Sequence, residues 1–336
     1  MKYPCFQNIN TYENNIGIPY GHKKTNYLHM KKIALIIVSV LSFSGIVAQQ
    51  DPMISQYMFN GLFLNPAYSG SHKYFTSSLL HRTQWVSFSG APKTLLMAVD
   101  GLVPSKSENM GVGLIVAHDR IGATEQTDIY ANYAYQLKLK KGKLAFGLKA
   151  GVSNYVFKSS NLTVWDAEDE VFTGRRTAWL PKFGFGAYYF CDNWYAGLSI
   201  PTLVAYDARH DFSFDVNKGT FLQRHYYLYG GYVFKLNENF KLKPSALVKY
   251  LPAAPVEADI NLNLLYKDMF WIGASYRSMD AVVFMLEYQT NTRFRVGYAF
   301  DLTTSKIRKY SAGTHEIMIG YDFGKNLIKE KTPRFF

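Results

Sequence analysis

The densest set of acid–base or metal-binding candidates is the run Asp166, Glu168, Asp169 and Glu170 beside Trp165. Four carboxylates this close are able to hold Ca²⁺, but a dedicated loop spaces its ligands around a turn-forming glycine, and this run has none. A solvated acidic loop is the better reading. His72, His81, His118, His210, His225 and His315 show no H-x-x-x-H or other ligand spacing. There is no Gly-x-Ser-x-Gly elbow to present a nucleophile. Of two cysteines, Cys5 and Cys191, the first lies upstream of an export signal described below, so one thiol is left without an intramolecular partner. The residues assign no catalytic group, cofactor or metal, and the expectation is a non-enzymatic protein. Asp100, Lys149, Lys243, Lys249, Arg277, Glu287, Arg293, Arg295 and Asp301 instead stand at alternate positions among apolar residues. Charges so placed either line a channel or pair with one another or with a segment lying between them.

The elements that carry them alternate with period two. In Arg293–Leu302, Phe294, Val296, Tyr298, Phe300 and Leu302 share one face, and Arg293, Arg295, Gly297, Ala299 and Asp301 share the other. The segments 128–140, 144–153, 270–277 and 315–323 divide the same way. Such runs are about 9–12 residues long, the length of a tilted membrane strand, whereas soluble strands are usually about 5–6. About fourteen strands are expected, starting near residues 74, 93, 109, 124, 143, 182, 193, 222, 239, 257, 269, 281, 292 and 313. Tight turns are expected at Lys141-Gly142, Asn237-Glu238-Asn239, Lys267-Asp268 and Thr290-Asn291, with longer polar loops near 159–180 and 203–220. The expected fold is all-β, a transmembrane antiparallel barrel over residues 73–325 with a tail at 326–336. An aromatic fraction of 16%, nearly all Tyr and Phe, suits its interface girdles. A soluble secreted β-sandwich is the competing class.

Lys31-Lys32 followed by the apolar run Ile33–Val47 and a small residue at Ala48 reads as a secretory signal peptide over 30–48. Residues 1–29 then read as an upstream extension from a mis-called start, with Met30 the initiator, and export places the protein in the outer membrane of a Gram-negative cell. Removing residues 1–48 takes away five Lys/Arg and one acid, so a net charge of +12 becomes +8. The basic residues are spread rather than striped, which excludes nucleic acid as a partner.

Residues 49–72 fit neither the signal nor the strands. They are rich in aromatics, Asn, Pro and Gly, and read as ordered but irregular backbone. Gly111, Gly113, Gly147, Gly151, Gly184, Gly186, Gly230 and Gly231 lie in or beside strand interiors, where glycine marks either barrel curvature or the close approach of another segment. The expectation is that Gln50–Gly70 folds into or against the lumen, with Tyr57, Phe59, Asn60, Asn65, Pro66 and Tyr68 as plug or docking residues. Lys149, Arg277, Glu287, Arg293, Arg295 and Asp301 are the expected lumen-facing charges.

Gln50-Asp51-Pro52, Ser55-Gln56-Tyr57-Met58-Phe59-Asn60 and Asn65-Pro66-Ala67-Tyr68-Ser69-Gly70 closely resemble the opening of the PorP/SprF family of Bacteroidota. Further matching pieces are Gln84-Trp85, Gly90-Ala91-Pro92-Lys93-Thr94, Asp119 with Ile121-Gly122, Phe146–Gly151, Leu198-Ser199-Ile200-Pro201 and Gly313-Thr314-His315-Glu316. Gly61 departs from the pattern, since Pro is expected there. The resemblance spans roughly residues 49–325 and implies an outer-membrane component of type IX secretion and gliding motility. It implies as partner either the periplasmic lipoprotein ring of the machine or the C-terminal signal domain of a secreted adhesin, with outer-membrane lipid around the barrel and no cofactor. A porin-like or hydrophobic-substrate channel is the alternative function.

Overall fold

The computed structural model describes residues 52–72, 74–104, 108–158, 175–205, 224–252, 254–290 and 293–323. The chain divides into two units, Met1–Ile46 and Val47–Phe336, and every described residue lies in the second. The signal peptide, the upstream extension, the acidic run at 166–170, His210, Asn291 and the C-terminal tail fall outside the described residues.

One antiparallel sheet of fifteen strands closes on itself. In chain order the strands are β1 (Phe75–Thr83), β2 (Lys93–Leu102), β3 (Met110–Ile121), β4 (Thr124–Leu139), β5 (Gly142–Lys158), β6 (Arg175–Phe190), β7 (Trp194–Ala205) and β8 (Tyr226–Tyr232). They continue as β9 (Phe234–Lys235), β10 (Phe240–Tyr250), β11 (Glu257–Tyr266), β12 (Phe270–Arg277), β13 (Ala281–Gln289), β14 (Phe294–Thr303) and β15 (Thr314–Phe323). Two-residue β9 hangs on β10, so the remaining fourteen form the wall. β1 pairs with β15 from Phe75↔Phe323 to Thr83↔His315, which leaves the wall no free edge.

The alternation makes the molecule inside-out. Leu148, Ile260, Ile272, Leu286 and Phe284 are exposed on the outer face, while Lys149, Asp259, Asn261, Arg277 and Glu287 beside them are buried within. An apolar exterior is stable only in hydrocarbon. No helix among the described residues is long and apolar enough to cross a membrane. β6 begins at Arg175, seven residues before its expected start, and β4 and β5 run to 16 and 17 residues. Their extra length continues the ladder beyond the lipid-crossing stretch, where no apolar alternation announces it.

The two rims differ. One carries short connections such as 140–141, 191–193 and 267–269, the start of β1 and the end of β15; the other carries 84–92, 159–174, 206–225 and 304–313. Short turns face the periplasm in barrels of this type. At this rim Lys267 and Asp268 both adopt positive φ in the three-residue connection 267–269, and Met269 N–H donates to Tyr266 C=O to close it. Asn237 Oδ1 accepts from the N–H groups of Asn239 and Phe240, closing the next turn.

Candidate functional site: a segment seated in the lumen

Fourteen strands enclose more space than their own side chains fill. Here Pro52–His72 lies within that space. Every residue from Ile54 to His72 is buried except Phe63, which is half-buried. Its composition prevents a long helix or a strand, so it folds as three short turns, Tyr57–Phe59, Gly61–Leu64 and Pro66–Tyr68. Asn65 starts the last of these: its side chain accepts from Ala67 N–H, and Pro66 at the first helical position needs no donor partner. Backbone groups that such short turns leave unpaired must find partners in the wall.

At the long-loop end, Glu316 accepts from the N–H groups of Ser55 (2.8 Å) and Gln56 (2.7 Å), one oxygen each. Ser55 Oγ donates to Asp301 at 2.8 Å and accepts from Arg82 Nη1 at 2.9 Å. Arg82 also bonds Glu316 (3.0 Å) and Asp301 (2.8 Å), and Arg277 approaches Asp301 (3.4 Å) and Asp259 (3.3 Å). Arg82, Arg277, Asp301 and Glu316 are each at most 2% exposed. Charges this deeply buried are tolerated only when paired and hydrogen-bonded, as these are.

Midway, the Tyr57 hydroxyl accepts from Asn261 Nδ2, Asn263 Nδ2 donates to Met58 Sδ, and Asn60 Nδ2 donates to Ser78. Burial pushes the Tyr57 phenol well above its ordinary value, and the neighbouring Asp259 carboxylate adds to the rise. Phe59 meets Trp271 edge-on at 6.0 Å. Nearer the short-turn end, Asn65 Nδ2 donates to the carbonyls of Ala187 and Leu198, and Ser199 Oγ donates to Leu64 C=O. Tyr68 bonds His72 and packs on Tyr188; Gly70 N–H donates to Asp100, and Gln136 donates to Gly70 C=O.

The inward glycines divide between the two readings open in the sequence. A Cβ at Gly147 would overlap the Ala67 backbone and one at Gly111 the Ser69 carbonyl; Gly113 and Gly186 lie against Leu62 and Asn65. Gly151, Gly184, Gly230 and Gly231 instead face neighbouring strands or Tyr side chains.

The expected lumen charges do not form one group. Arg277 and Asp301 belong to the cluster around Ser55. Arg295 lies at the other end, bonded to Thr76 at 2.9 Å and 3.6 Å from Asp322. Lys149 sits 4.2 Å from the centre of the Tyr130 ring, and Glu287 is buried on the inner face. Arg293 is corrected: it precedes β14, and its guanidinium reaches the Tyr321 hydroxyl on the outer face, 3.5 Å away. Its parity matched the inward set, but outside the ladder parity no longer dictates direction. Arg82, Glu316, Asp259 and Asp322, which hold the segment or the seam beside it, were not singled out as charges in the sequence; their inward parity was the available signal. Among the described residues no three His, Cys, Asp or Glu converge as metal ligands.

Residues 46–321 match the model of the family described as Type IX secretion system membrane protein PorP/SprF. No curated protein matches the chain. Solved structures that resemble it include the Acinetobacter baumannii outer membrane protein Omp33, at 11% identity, covering 75% of this chain and 99% of that one with a TM-score of 0.42. A Pseudomonas aeruginosa FadL homologue has 11% identity, coverage of 84% and 96%, and a TM-score of 0.42. The Ralstonia pickettii toluene transporter TbuX has 8% identity, coverage of 79% and 93%, and a TM-score of 0.49.

Proposed function

We propose, because the chain belongs to the PorP/SprF family of type IX secretion system membrane proteins, that its outer-membrane barrel serves secretion as a closed, partner-binding component. On this reading it passes no solute, and it performs no chemistry of its own. The supporting observation is the continuous seat of Ile54–His72, hydrogen-bonded to the wall from the Ser55 cluster to Asp100 and Gln136. A transport pore needs a passage through which its substrate enters and leaves, and these residues occupy that passage.

Residues 30–48 deliver the chain, 49–72 act as plug and docking element, and 73–325 form the wall. Tyr57, Phe59, Asn60, Asn65, Pro66 and Tyr68 fix the plug. The partner is a periplasmic lipoprotein of the secretion machine or the C-terminal signal domain of a secreted adhesin, and the role extends to gliding motility. Two measurements test this. Purified protein in a planar bilayer should carry no steady porin-like current, and affinity purification in mild detergent should recover machine components or a secreted adhesin. A steady open current from the intact protein would overturn the closed-barrel reading.

A further inference from the structure

The outer face is not uniformly convex. Across β10–β14, in the half of the wall nearest the short turns, it is hollowed into a groove of about 690 Å³, within the roughly 300–1,000 Å³ range of small-molecule sites. Register explains the hollow. Phe240 and Tyr266 are cross-strand neighbours with ring centres 4.9 Å apart, and so are Phe270 and Tyr288 at 4.8 Å. These rings pair with each other across the strands. The next row inward, Ile272 opposite Leu286, is aliphatic and shorter.

The groove is amphiphilic along its length. Its deep part is apolar, and Asn239 lines the end at the turns. Two cations fold onto the outer face at that same rim. Lys267 Nζ lies 5.3 Å from the centre of the Tyr266 ring, and Arg293 reaches the outward Tyr321 hydroxyl. Asp268, the acid beside Lys267, is bonded by Lys241 at 2.6 Å, so it does not offset them.

We propose that this groove is a binding site for one glycerophospholipid of the periplasmic leaflet, its acyl chains along Ile272 and Leu286 and its phosphate toward Lys267 and Arg293. The apolar body, the cationic rim at headgroup depth and the position beside the periplasmic turns match that lipid. Lipopolysaccharide, which occupies the opposite leaflet, does not reach it. The site opens on the outer face, and its test does not depend on whether the barrel conducts.

The test is lipid retention by the full chain purified from its own membrane in mild detergent, read by native mass spectrometry and by phospholipid quantification of extracts. The wild type should keep about one phospholipid per barrel through detergent exchange. Ile272→Trp, which fills the groove, should lower retention about tenfold, as should Lys267→Glu with Arg293→Glu, which alters only rim positions. Leu148→Trp, on an exposed outer position away from the groove, should leave retention unchanged. Heat-modifiable migration on gels confirms that each variant is folded. Loss of all lipid from the wild type, equal retention by every variant, or lipopolysaccharide in place of phospholipid would each refute the site. A photo-crosslinker at Leu286 that captures protein instead of lipid would refute it as well.

Discussion

Glu316→Ala removes the carboxylate that accepts from two successive N–H groups of the lumen segment and from Arg82. Hydrogen bonds to a charged group contribute about 1.5–3 kcal/mol each, but they do not simply add, because Ser55 and Arg82 keep Asp301 as a partner. Breaking a buried pair by deleting one side costs about 3–5 kcal/mol, and we take the lower end. That shift, about 3 kcal/mol, raises the population with the segment unseated by roughly two orders of magnitude. The wall ladder is untouched, so the barrel itself stays folded. The assay is single-channel recording alongside limited proteolysis of the segment. The variant should show brief openings about a hundredfold more often than the wild type and cleavage near Tyr57–Asn60. Closed recordings and unchanged protection in a folded variant would refute the assignment of Glu316 as the main clamp.

Gly147→Val places a branched side chain against the Ala67 backbone; overpacking of about 1–3 kcal/mol should expose the segment to protease faster than in the wild type. Tyr57→Phe removes the acceptor for Asn261 and should weaken the seat by about 1–3 kcal/mol, read as a higher opening rate. Because burial raises the Tyr57 phenol above its ordinary value of 10.0, its contribution is intact below pH 10 and declines as pH rises above it. The released segment then ionises while the seated one stays neutral. Protease protection measured from pH 8 to 12 should therefore fall, with a shallower fall in Tyr57→Phe. Leu148→Arg puts a charge on the lipid face, where Leu148 is 61% exposed; the barrel should lose about 2–4 kcal/mol in folding titrations.

The wall was legible because a membrane barrel writes its two environments at alternate residues. Leu144 to Ser153 and Phe294 to Asp301 needed only parity to be assigned a side. Turn chemistry at Lys267-Asp268 and Asn237–Asn239 was equally local and equally readable. Register was not: nothing in the sequence brings Arg82 beside Glu316, which it meets only once β1 pairs with β15. For the same reason the grouping of Arg82, Arg277, Asp301 and Glu316 around Ser55 was not legible, although all four wall residues lay at an inward parity and Arg277 and Asp301 were expected in the lumen. β9 and the early start of β6 escaped because neither displays apolar alternation. The tertiary contacts of residues 55–70 were unreadable for another reason. An irregular segment has no period, and its bonds depend on which wall residues stand opposite.

The Arg82 cluster has a consequence for the order of assembly. Ser55 is near the start of the described chain, and its clamps Asp301 and Glu316 lie on the last two strands, 246 and 261 residues away. Arg82 on the first strand bonds all three. A second stitch at the opposite rim, Thr76 with Asp322 and Arg295, joins the same three strands. The lumen segment thus gains its charged clamp only when the final hairpin arrives and meets the first strand. Contacts of such sequence separation form late. A chain lacking β14 and β15 would lose its seam and the Ser55 clamp on its plug together, so the protein joins the sealing of the wall and the locking of its interior in a single event.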